Sequence, residues 1–382
     1  MTTAETYDLE RWLSDRRLIV VVGAGGVGKT TTAAAIGLFA ARSGRKVMVL
    51  TIDPARRLAT SLGLEALGDD ARRIDLGGIP VTEGGELWAM MLDSRSTFDA
   101  LMARVAGDEE TRQRILKNHV YRHMADTLAG SQDYMATEKL HDLVTSGQYD
   151  LVVLDTPPVK NALDFLESPG RLVNFLDERV LKWFLRPSDS FGLISGTSAI
   201  VQRLLGAVFG KEFLDDLSVF FHDFQGLYAG FVDRHTAVLS LLRDPGTSFL
   251  AICSPSEPAL DVAVFFLDEM ARRGLPWAGV VVNQVHHCET SGHDARVVLG
   301  QVANTEAIGL PTSTVPVVLA RLGMAHRRLA LLADAERRWV ARVRVAARGG
   351  FYQDVPRLDE DVHDLVGLQA VGSSLFRPGV RA

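Results

Sequence analysis

The stretch VVGAGGVGKTTT, residues 21–32, decides the fold. Its residues Gly23, Gly28, Lys29 and Thr30 satisfy the pattern G-x-x-x-x-G-K-[ST], which is meaningful when it lies between a buried strand and a helix. Both flanks fit. RLIVVVG precedes the loop as a short β-rich apolar run, and KTTTAAAIGLFAARSGR follows as an alanine-rich helix that Gly44 ends. The sequence therefore predicts a phosphate-binding loop on a parallel α/β sheet.

Each residue type in this loop has a physical role in holding phosphate. Glycines let backbone N–H groups turn inward around the phosphate, and the helix N-terminus adds the positive end of its dipole. The ammonium of Lys29 reaches the β and γ oxygens, and the hydroxyl of Thr30 is a ligand for Mg²⁺. We therefore predict a nucleoside triphosphate bound with Mg²⁺ by Gly23, Gly25, Gly26, Val27, Gly28, Lys29, Thr30 and Thr31.

Two carboxylates end the strands that are predicted to lie near this loop. YDLVVLDTPP contains Asp155, where a buried strand can hold a carboxylate rigidly beside a hydrated Mg²⁺. KVMVLTID ends at Asp53, where a carboxylate outside the strand edge can orient a water for attack on the terminal phosphorus. Both residues also have ordinary structural interpretations, because Asp155 can end a strand at a turn and Asp53 can cap a helix that Pro54 begins.

The predicted sheet is interrupted by helical sequence. TSFLAICS and WAGVVVNQV repeat the strand pattern around a helical EPALDVAVFFLDEMARRG, and the tail GGFYQDVPRLDEDVHDLVGLQ is expected to be a loop and a last helix. We predict a P-loop ATPase core formed by residues 1–93, 144–160 and 244–382, and an inserted helical lobe formed by 94–143 and 161–243. In the lobe, apolar residues from Phe213 to Phe231 fall three or four positions apart. This spacing indicates either the packed face of a helix or an exposed apolar groove that holds a hydrophobic partner.

Composition excludes several classes of protein. With 41 Lys+Arg against 47 Asp+Glu the net charge is −6, which argues against an extended nucleic-acid or anionic-lipid surface. Cys253 and Cys288 cannot form a disulfide framework and belong to no C-x-x-C pair. The N-terminal MTTAETYDLERWLSDRR carries charges where a secretory signal needs an apolar core, and no run approaches the roughly 20 apolar residues of a bilayer span. We expect a cytoplasmic protein without a direct membrane span or a nucleic-acid partner.

Two weaker signals are assigned to solvated surface. HHCETSGHD, from His286 to Asp294, fits no familiar zinc spacing and is expected to be a loop after a strand. Two basic pairs could contact phosphate or a partner: Arg56 with Arg57, and Arg72 with Arg73. Because acidic residues interrupt them, they are expected to lie on solvated helix faces.

Five motifs in order carry a family resemblance: GAGGVGKTTT, TIDPARRL, LDTPPVKNALDFL, VVNQV and VPRLDEDVHDL. They resemble the ArsA-like ATPases, which include arsenite-pump ATPases and factors that target tail-anchored membrane proteins, and the resemblance covers nearly the whole chain. Within the family the loop is most similar to an actinobacterial ArsA-like subunit that is encoded beside a second ArsA-like subunit. The resemblance implies ATP hydrolysis with Lys29 and Asp53 as catalytic residues, Asp155 in the second switch segment, Asn283 at the adenine edge, and Pro356 in a loop over the base.

Departures from the family pattern limit what is carried over. The usual loop is GKGGVGK, whose first lysine reaches across a face-to-face dimer to the partner's phosphates, whereas this chain has Ala24 there. A cation supplied in trans can be worth about 10³ or more in rate. A dimer with a second ArsA-like subunit that carries the lysine is therefore expected, with a homodimer as the alternative. The zinc-binding C-x-x-C pair and the arsenite-binding cysteine cluster are absent from the sequence, so neither metal chemistry is expected.

Three functions follow from these patterns. The leading one is a Mg²⁺-dependent ATPase that hydrolyses ATP to switch a dimer between two shapes. The alternative is a nucleotide-dependent carrier or scaffold for a hydrophobic protein client that hydrolyses little; Ala24 favours it and Asp53 opposes it. A small-molecule kinase would need an acceptor pocket and an arginine lid, and the sequence identifies neither.

Overall fold

A computed structural model describes residues 6–53, 57–105, 108–117, 132–157, 228–288, 314–347, 349–377 and 379–381. The described strands are β1 (Thr6–Tyr7), β2 (Leu18–Gly23), β3 (Lys46–Thr51), β4 (Arg72–Arg73), β5 (Glu86–Met91), β6 (Leu151–Asp155), β7 (Thr247–Cys253), β8 (Trp277–Val285), β9 (Phe351–Pro356) and β10 (Gly379–Arg381). They form one sheet in the order β1-β10-β9-β8-β7-β2-β6-β3-β5-β4. The strands from β9 to β5 run parallel, and antiparallel β4 and β10 extend the two sides.

Helices cover the sheet. The described ones are α1 (Leu9–Ser14), α2 (Lys29–Arg42), α3 (Arg57–Ser61), α4 (Ser94–Val105), α5 (Glu109–Lys117), α6 (Gln132–Thr145), α7 (Tyr228–Arg243), α8 (Glu257–Arg273), α9 (Val315–Ala346) and α10 (Leu365–Leu375). None of them combines the length and the apolar character that a helix crossing a membrane requires.

Helix α2 is held close to the centre of the sheet by small residues. Its alanines are buried, and at Gly37 an added Cβ would lie 2.6 Å from Cγ2 of Val49 on β3. On the other side of α2 lies α10, where the rings of Phe39 and Phe376 stack with centroids 3.9 Å apart. The helix that begins at the phosphate loop is therefore fixed between the sheet and the C-terminal helix.

The chain leaves the middle of the sheet in opposite directions. From β2 it crosses by α2 to β3 on one side, whereas β7 and β8 continue the sheet on the other side. In parallel α/β sheets, ligands bind where the strand order reverses, at the carboxyl ends of the strands. The segments after β2, β3 and β6 therefore meet at one such edge.

The predicted α/β fold with a mostly parallel sheet is confirmed, and the five predicted strand runs correspond to β2, β3, β6, β7 and β8. The expectation of a loop at the start of the C-terminal tail is wrong. FYQDVP forms β9, which pairs in parallel with β8. Strand β5, which pairs with β3, was not predicted.

The described parts of the predicted lobe are helical, and three of their four helices contribute residues to the core of the sheet. Phe98 of α4, Met135 of α6 and Val238 of α7 lie in one apolar cluster with the residues of β2 and β6. Helices α6 and α7 are joined by Arg234, whose Nε donates to Oε2 of the buried Glu138 at 2.5 Å and whose guanidinium also pairs with Asp142. The apolar stripe from Phe213 to Leu227 lies outside the described residues, and its last member, Phe231, falls within α7.

Candidate active site

Two glycines of the loop are required by close approaches. Gly23 ends β2, and a Cβ there would lie 2.1 Å from the carbonyl oxygen of Ile252 on β7. Gly28 is the N-cap of α2 with a φ of 92°, and a Cβ there would lie 2.1 Å from Nδ2 of Asn283. Only glycine combines this left-handed backbone with this lack of space. The loop is thus fixed from outside by the two strands on one side of β2.

Lys29 is folded back over the loop. Its Nζ donates to the carbonyl oxygen of Ala24 at 2.8 Å, and the residue is only 7% exposed. Burial lowers the pKa of Lys29, while the nearby charge of Asp155 acts in the opposite direction. A phosphate oxygen in the loop would replace the Ala24 carbonyl as the acceptor, and an anion is the stronger partner for an ammonium.

Asp155 is the most buried carboxylate of this edge, at 1% exposure. Its Oδ2 accepts from the hydroxyl of Thr30 at 2.7 Å and from the hydroxyl of Thr51 at 2.9 Å. Its Oδ1 is buried and has no hydrogen-bond partner among the described residues. Burial raises the pKa of Asp155 to about 6, against the two hydroxyl donors.

This donor set fits Mg²⁺. A hard divalent ion takes oxygen ligands and keeps several waters, so a threonine hydroxyl and a carboxylate with one unused oxygen suit it. Such an ion would also stabilise the ionised form of Asp155 and so oppose the effect of burial on its pKa. Thr30 and Asp155, the predicted metal residues, are therefore brought together by the fold.

Asp53 follows β3 and is linked to Asp155 by one threonine. Its backbone N–H donates to Oγ1 of Thr51 at 3.3 Å, and the same hydroxyl donates to Asp155. Oδ2 of Asp53 lies 3.3 Å from Nη1 of Arg57 at the start of α3. The carboxylate predicted to orient water therefore faces a cation of its own chain.

Beside these residues lies a cavity of about 630 Å³, and Asp155 is not among the residues that line it. It is lined by Gly26, Gly28, Lys29, Thr30, Thr31, Asp53, Arg57, Thr60, Ser61, Thr156, Gln284, Asp361 and Val362. Six of the predicted site residues are among them, from Gly26 to Asp53. The cavity is large enough for a nucleotide, since ligand pockets typically measure about 300–1,000 Å³.

The two residues assigned to the base do not line this cavity in the structure. Asn283 is buried in β8, and its Nδ2 donates to the carbonyl oxygen of Val27 at 2.9 Å. Pro356 ends β9 opposite Val285. Their roles at adenine stay predictions, and the contact of Asn283 shows directly that β8 supports the phosphate loop.

Sequence reasoning missed several residues that line the cavity. Gln284 follows Asn283 and has a left-handed φ of 63°, which is unusual for a residue other than glycine. Asp361 and Val362 lie beyond Pro356 in the quoted motif VPRLDEDVHDL, so this motif contributes two lining residues that were not singled out from the sequence. Arg57 is exposed, as predicted, yet it lines the cavity rather than only a solvated helix face.

A glycine loop between a buried parallel strand and a helix, with its lysine, threonine and strand-end aspartate, defines a P-loop nucleoside triphosphatase. Residues 16–298 match the ArsA ATPase family, described as anion-transporting ATPases, and the chain belongs to this family. The protein is therefore an ATPase, and the predicted family is confirmed. The matched residues contain the first four of the five motifs, and VPRLDEDVHDL lies beyond them.

Curated relatives are similar over 70–74% of this chain. ATPase GET3 of Podospora anserina is 27% identical over 271 residues, which cover 70% of this chain and 73% of that protein. ATPase ARSA2 of Chlamydomonas reinhardtii is 28% identical over 294 residues, covering 74% and 73% respectively. ATPase get3 of Aspergillus terreus is 26% identical over 273 residues, covering 70% and 73%.

Proposed function

We propose that this ATPase uses Mg²⁺ and acts as a dimer whose shape follows the state of its nucleotide. The observation that most supports the use of Mg²⁺ is the buried Asp155, whose Oδ2 accepts from Thr30 and Thr51 and whose Oδ1 has no partner among the described residues. A buried carboxylate in this condition is costly unless a cation or ordered water completes it. A metal ion at the phosphate loop would supply the missing partner of Oδ1 of Asp155.

Each residue of the site has a distinct task in this proposal. Backbone N–H groups of the loop and Lys29 hold the phosphates, and Thr30 and Asp155 hold Mg²⁺. The bound ion would supply neutralisation of charge on the phosphates. Asp53 orients the attacking water from the end of β3, and Asn283 and Pro356 contribute to the adenine side.

A partner subunit is part of the proposal because of Ala24. This residue offers a methyl group and a carbonyl at the position where the family's usual loop carries lysine, and the carbonyl accepts from Lys29. A second ArsA-like subunit that carries the lysine would add the cation in trans. Cys253, which is buried, and Cys288, which is partly buried, are not joined in a disulfide, and this suits the cytoplasm as the compartment.

A second function has one observation in its favour. Without a lysine at Ala24, the isolated chain lacks the family's intersubunit cation, and a slow enzyme can serve as a nucleotide-dependent carrier for a hydrophobic client. Single-turnover measurement with saturating Mg-ATP separates the two functions. A carrier leaves the nucleotide intact over many minutes, whereas the switch ATPase converts it.

The proposal is tested with Asp53→Asn and a matched control, Asp261→Asn. Asp261 also pairs with an exposed arginine, Arg342, at 3.1 Å, but lies on α8 outside the residues that line the cavity. Loss of a positioned proton acceptor typically costs about 10²–10⁴-fold in rate, so Asp53→Asn should lose at least about 10²-fold in single-turnover hydrolysis. The control should hydrolyse like the wild type.

Three outcomes would contradict the proposal. Unchanged hydrolysis in Asp53→Asn removes that residue from its role. Hydrolysis that is equally fast in EDTA and in Mg²⁺ would show that the reaction does not require Mg²⁺. Equal rates for the chain alone and with a lysine-bearing ArsA-like subunit argue against completion in trans.

A further inference from the structure

The cavity receives a second cation from this chain. Arg57 is the first residue of α3 and lines the same cavity as Lys29 and Thr30. Its side chain is 62% exposed, and its described ion pair is with Oδ2 of Asp53 at 3.3 Å. A guanidinium therefore stands where the segment after β3 meets the phosphate loop, although the loop itself has Ala24 in place of a second lysine.

Arg57 and Lys29 act electrostatically on the same space. The charge of Arg57 contributes to the lowered pKa of Lys29, after burial, which is the largest cause. Two neighbouring positive groups repel each other, and a ligand that carries several negative charges offsets this repulsion and is bound favourably by both. A triphosphate with one bound Mg²⁺ still carries net negative charge, concentrated on its terminal phosphate.

The contact between Arg57 and Asp53 is easily exchanged. Exposed ion pairs of this kind contribute little to stability, so the guanidinium can move to another anion at little cost. Bidentate contacts of arginine to phosphate are among the strongest hydrogen bonds in proteins, because both N–H groups of the planar fork match two oxygens. A phosphate within reach would therefore compete successfully with the Asp53 carboxylate.

We propose that Arg57 binds the terminal phosphate of ATP from within the same subunit, leaving Asp53 when a triphosphate is present and returning to it when only a diphosphate remains. The proposal rests on the proposed function, because it requires the nucleotide to occupy this cavity. It makes Arg57 the residue that distinguishes ATP from ADP. Binding of ATP would also release Asp53 from its ion pair, because a guanidinium that binds phosphate no longer pairs with the carboxylate that orients water.

This role differs from that of a partner's lysine. A cation supplied in trans acts only in the assembled dimer, whereas Arg57 is present in the isolated chain. The preference for triphosphate should therefore be measurable without any partner.

The test is calorimetric titration of Mg-ATPγS and of Mg-ADP into the full chain. Wild type, Arg57→Ala, Arg57→Lys and a control, Arg342→Ala, are compared; Arg342 pairs with Asp261 and does not line the cavity. A hydrogen bond to a charged group is worth about 1.5–3 kcal/mol, so Arg57→Ala should bind ATPγS about 10-fold or more weakly. Its affinity for ADP should change less than about twofold, because the diphosphate lacks the group that Arg57 contacts.

The other variants distinguish a failure of the role of Arg57 from a failure of the proposed function. Arg57→Lys should lose less than Arg57→Ala, since a point charge replaces a fork, and Arg342→Ala should match the wild type for both nucleotides. ADP binding by Arg57→Ala also verifies that the site is folded. If the wild type binds neither nucleotide, the proposed function fails. If it binds both, and Arg57→Ala and Arg57→Lys each change the two affinities equally or not at all, the role of Arg57 fails alone.

Discussion

Asp155→Asn is expected to stabilise the metal-free protein at alkaline pH while it abolishes hydrolysis. In the fold, Asp155 is almost completely buried, and one of its oxygens has no partner among the described residues. The ionised form is therefore penalised when no cation is present. Asparagine is neutral at every pH and still offers an oxygen to the hydroxyls of Thr30 and Thr51.

The magnitude follows from the shift of the pKa. Burial raises the pKa of Asp155 from 3.8 to about 6. Each unit corresponds to about 1.4 kcal/mol, so ionisation costs the fold about 3 kcal/mol. The native state binds this proton more tightly than the unfolded chain, so the stabilisation is complete below pH 3.8 and is lost as the pH rises through about 6. Asp155→Asn should therefore exceed the wild type by about 3 kcal/mol at pH 8, with the difference declining toward pH 4.

The assay is urea unfolding in EDTA between pH 5 and 8. Asp244→Asn is the control with the opposite sign. The carboxyl of Asp244 accepts from the N–H of Gly246 at 2.7 Å and pairs with Arg17, and these contacts lower its pKa. Replacing it should destabilise the protein at pH 7 and have less effect as the pH falls. A variant Asp155→Asn that is less stable than the wild type at pH 8 would refute the reasoning about Asp155.

Two further predictions concern packing. Gly28→Ala should abolish detectable Mg-ATP binding, because its φ of 92° is left-handed and its Cβ would also lie 2.1 Å from Nδ2 of Asn283. Gly26→Ala shares the left-handed backbone, with a φ of 77°, but meets no atom within 4 Å, so it should keep weaker but measurable binding by calorimetry. Equal losses would contradict the role of the Asn283 contact. Arg234→Ala should cost about 3–5 kcal/mol in urea unfolding, since it removes the cation that pairs with the buried Glu138. Arg104→Ala, which removes a partly exposed pair with Asp142, should cost less than about 1 kcal/mol, and a cost as large as that of Arg234→Ala would contradict the role of burial.

The centre of the sheet was predictable because its strands are buried on both faces. RLIVVVG and YDLVVLDTPP are continuous apolar runs that end at polar residues, and β2 and β6 follow them closely. The loop between β2 and α2 was predictable for a different reason. Glycine and lysine at fixed spacing are required by the phosphate chemistry, independently of the rest of the chain.

Strand β9 was not predictable from its own residues. FYQDVP contains Gln353 and Asp354, two polar residues of the kind that is common in loops. In the structure, however, Gln353 is buried. The reason lies outside the segment, since Nε2 of Gln353 donates to the backbone oxygen of Ser374 in α10 at 3.0 Å. A polar residue that is satisfied by a distant helix gives no local signal.

The same limit applies to the candidate site. The motif pattern identified Lys29, Thr30 and Asp155, whose spacing and strand positions are local features. The contact of Asn283 with Val27 joins segments 256 residues apart, and the position of Arg57 depends on how α3 begins beside the loop. Residue types and their spacing predicted which side chains can bind phosphate or metal. Only the fold shows which side chains line the same cavity.

The hydroxyl of Thr51 has a consequence for the change of shape that we propose for this ATPase. It donates to Asp155 at the end of β6 and accepts from the backbone of Asp53 beyond β3, so one oxygen atom ties together the starts of the two segments that follow these strands. A displacement of either segment must break this link or carry the other along. In the proposed function, events at the metal and at the attacking water would thereby be synchronised within a single subunit. We expect relaxation measurements on these two segments to find one exchange process instead of two.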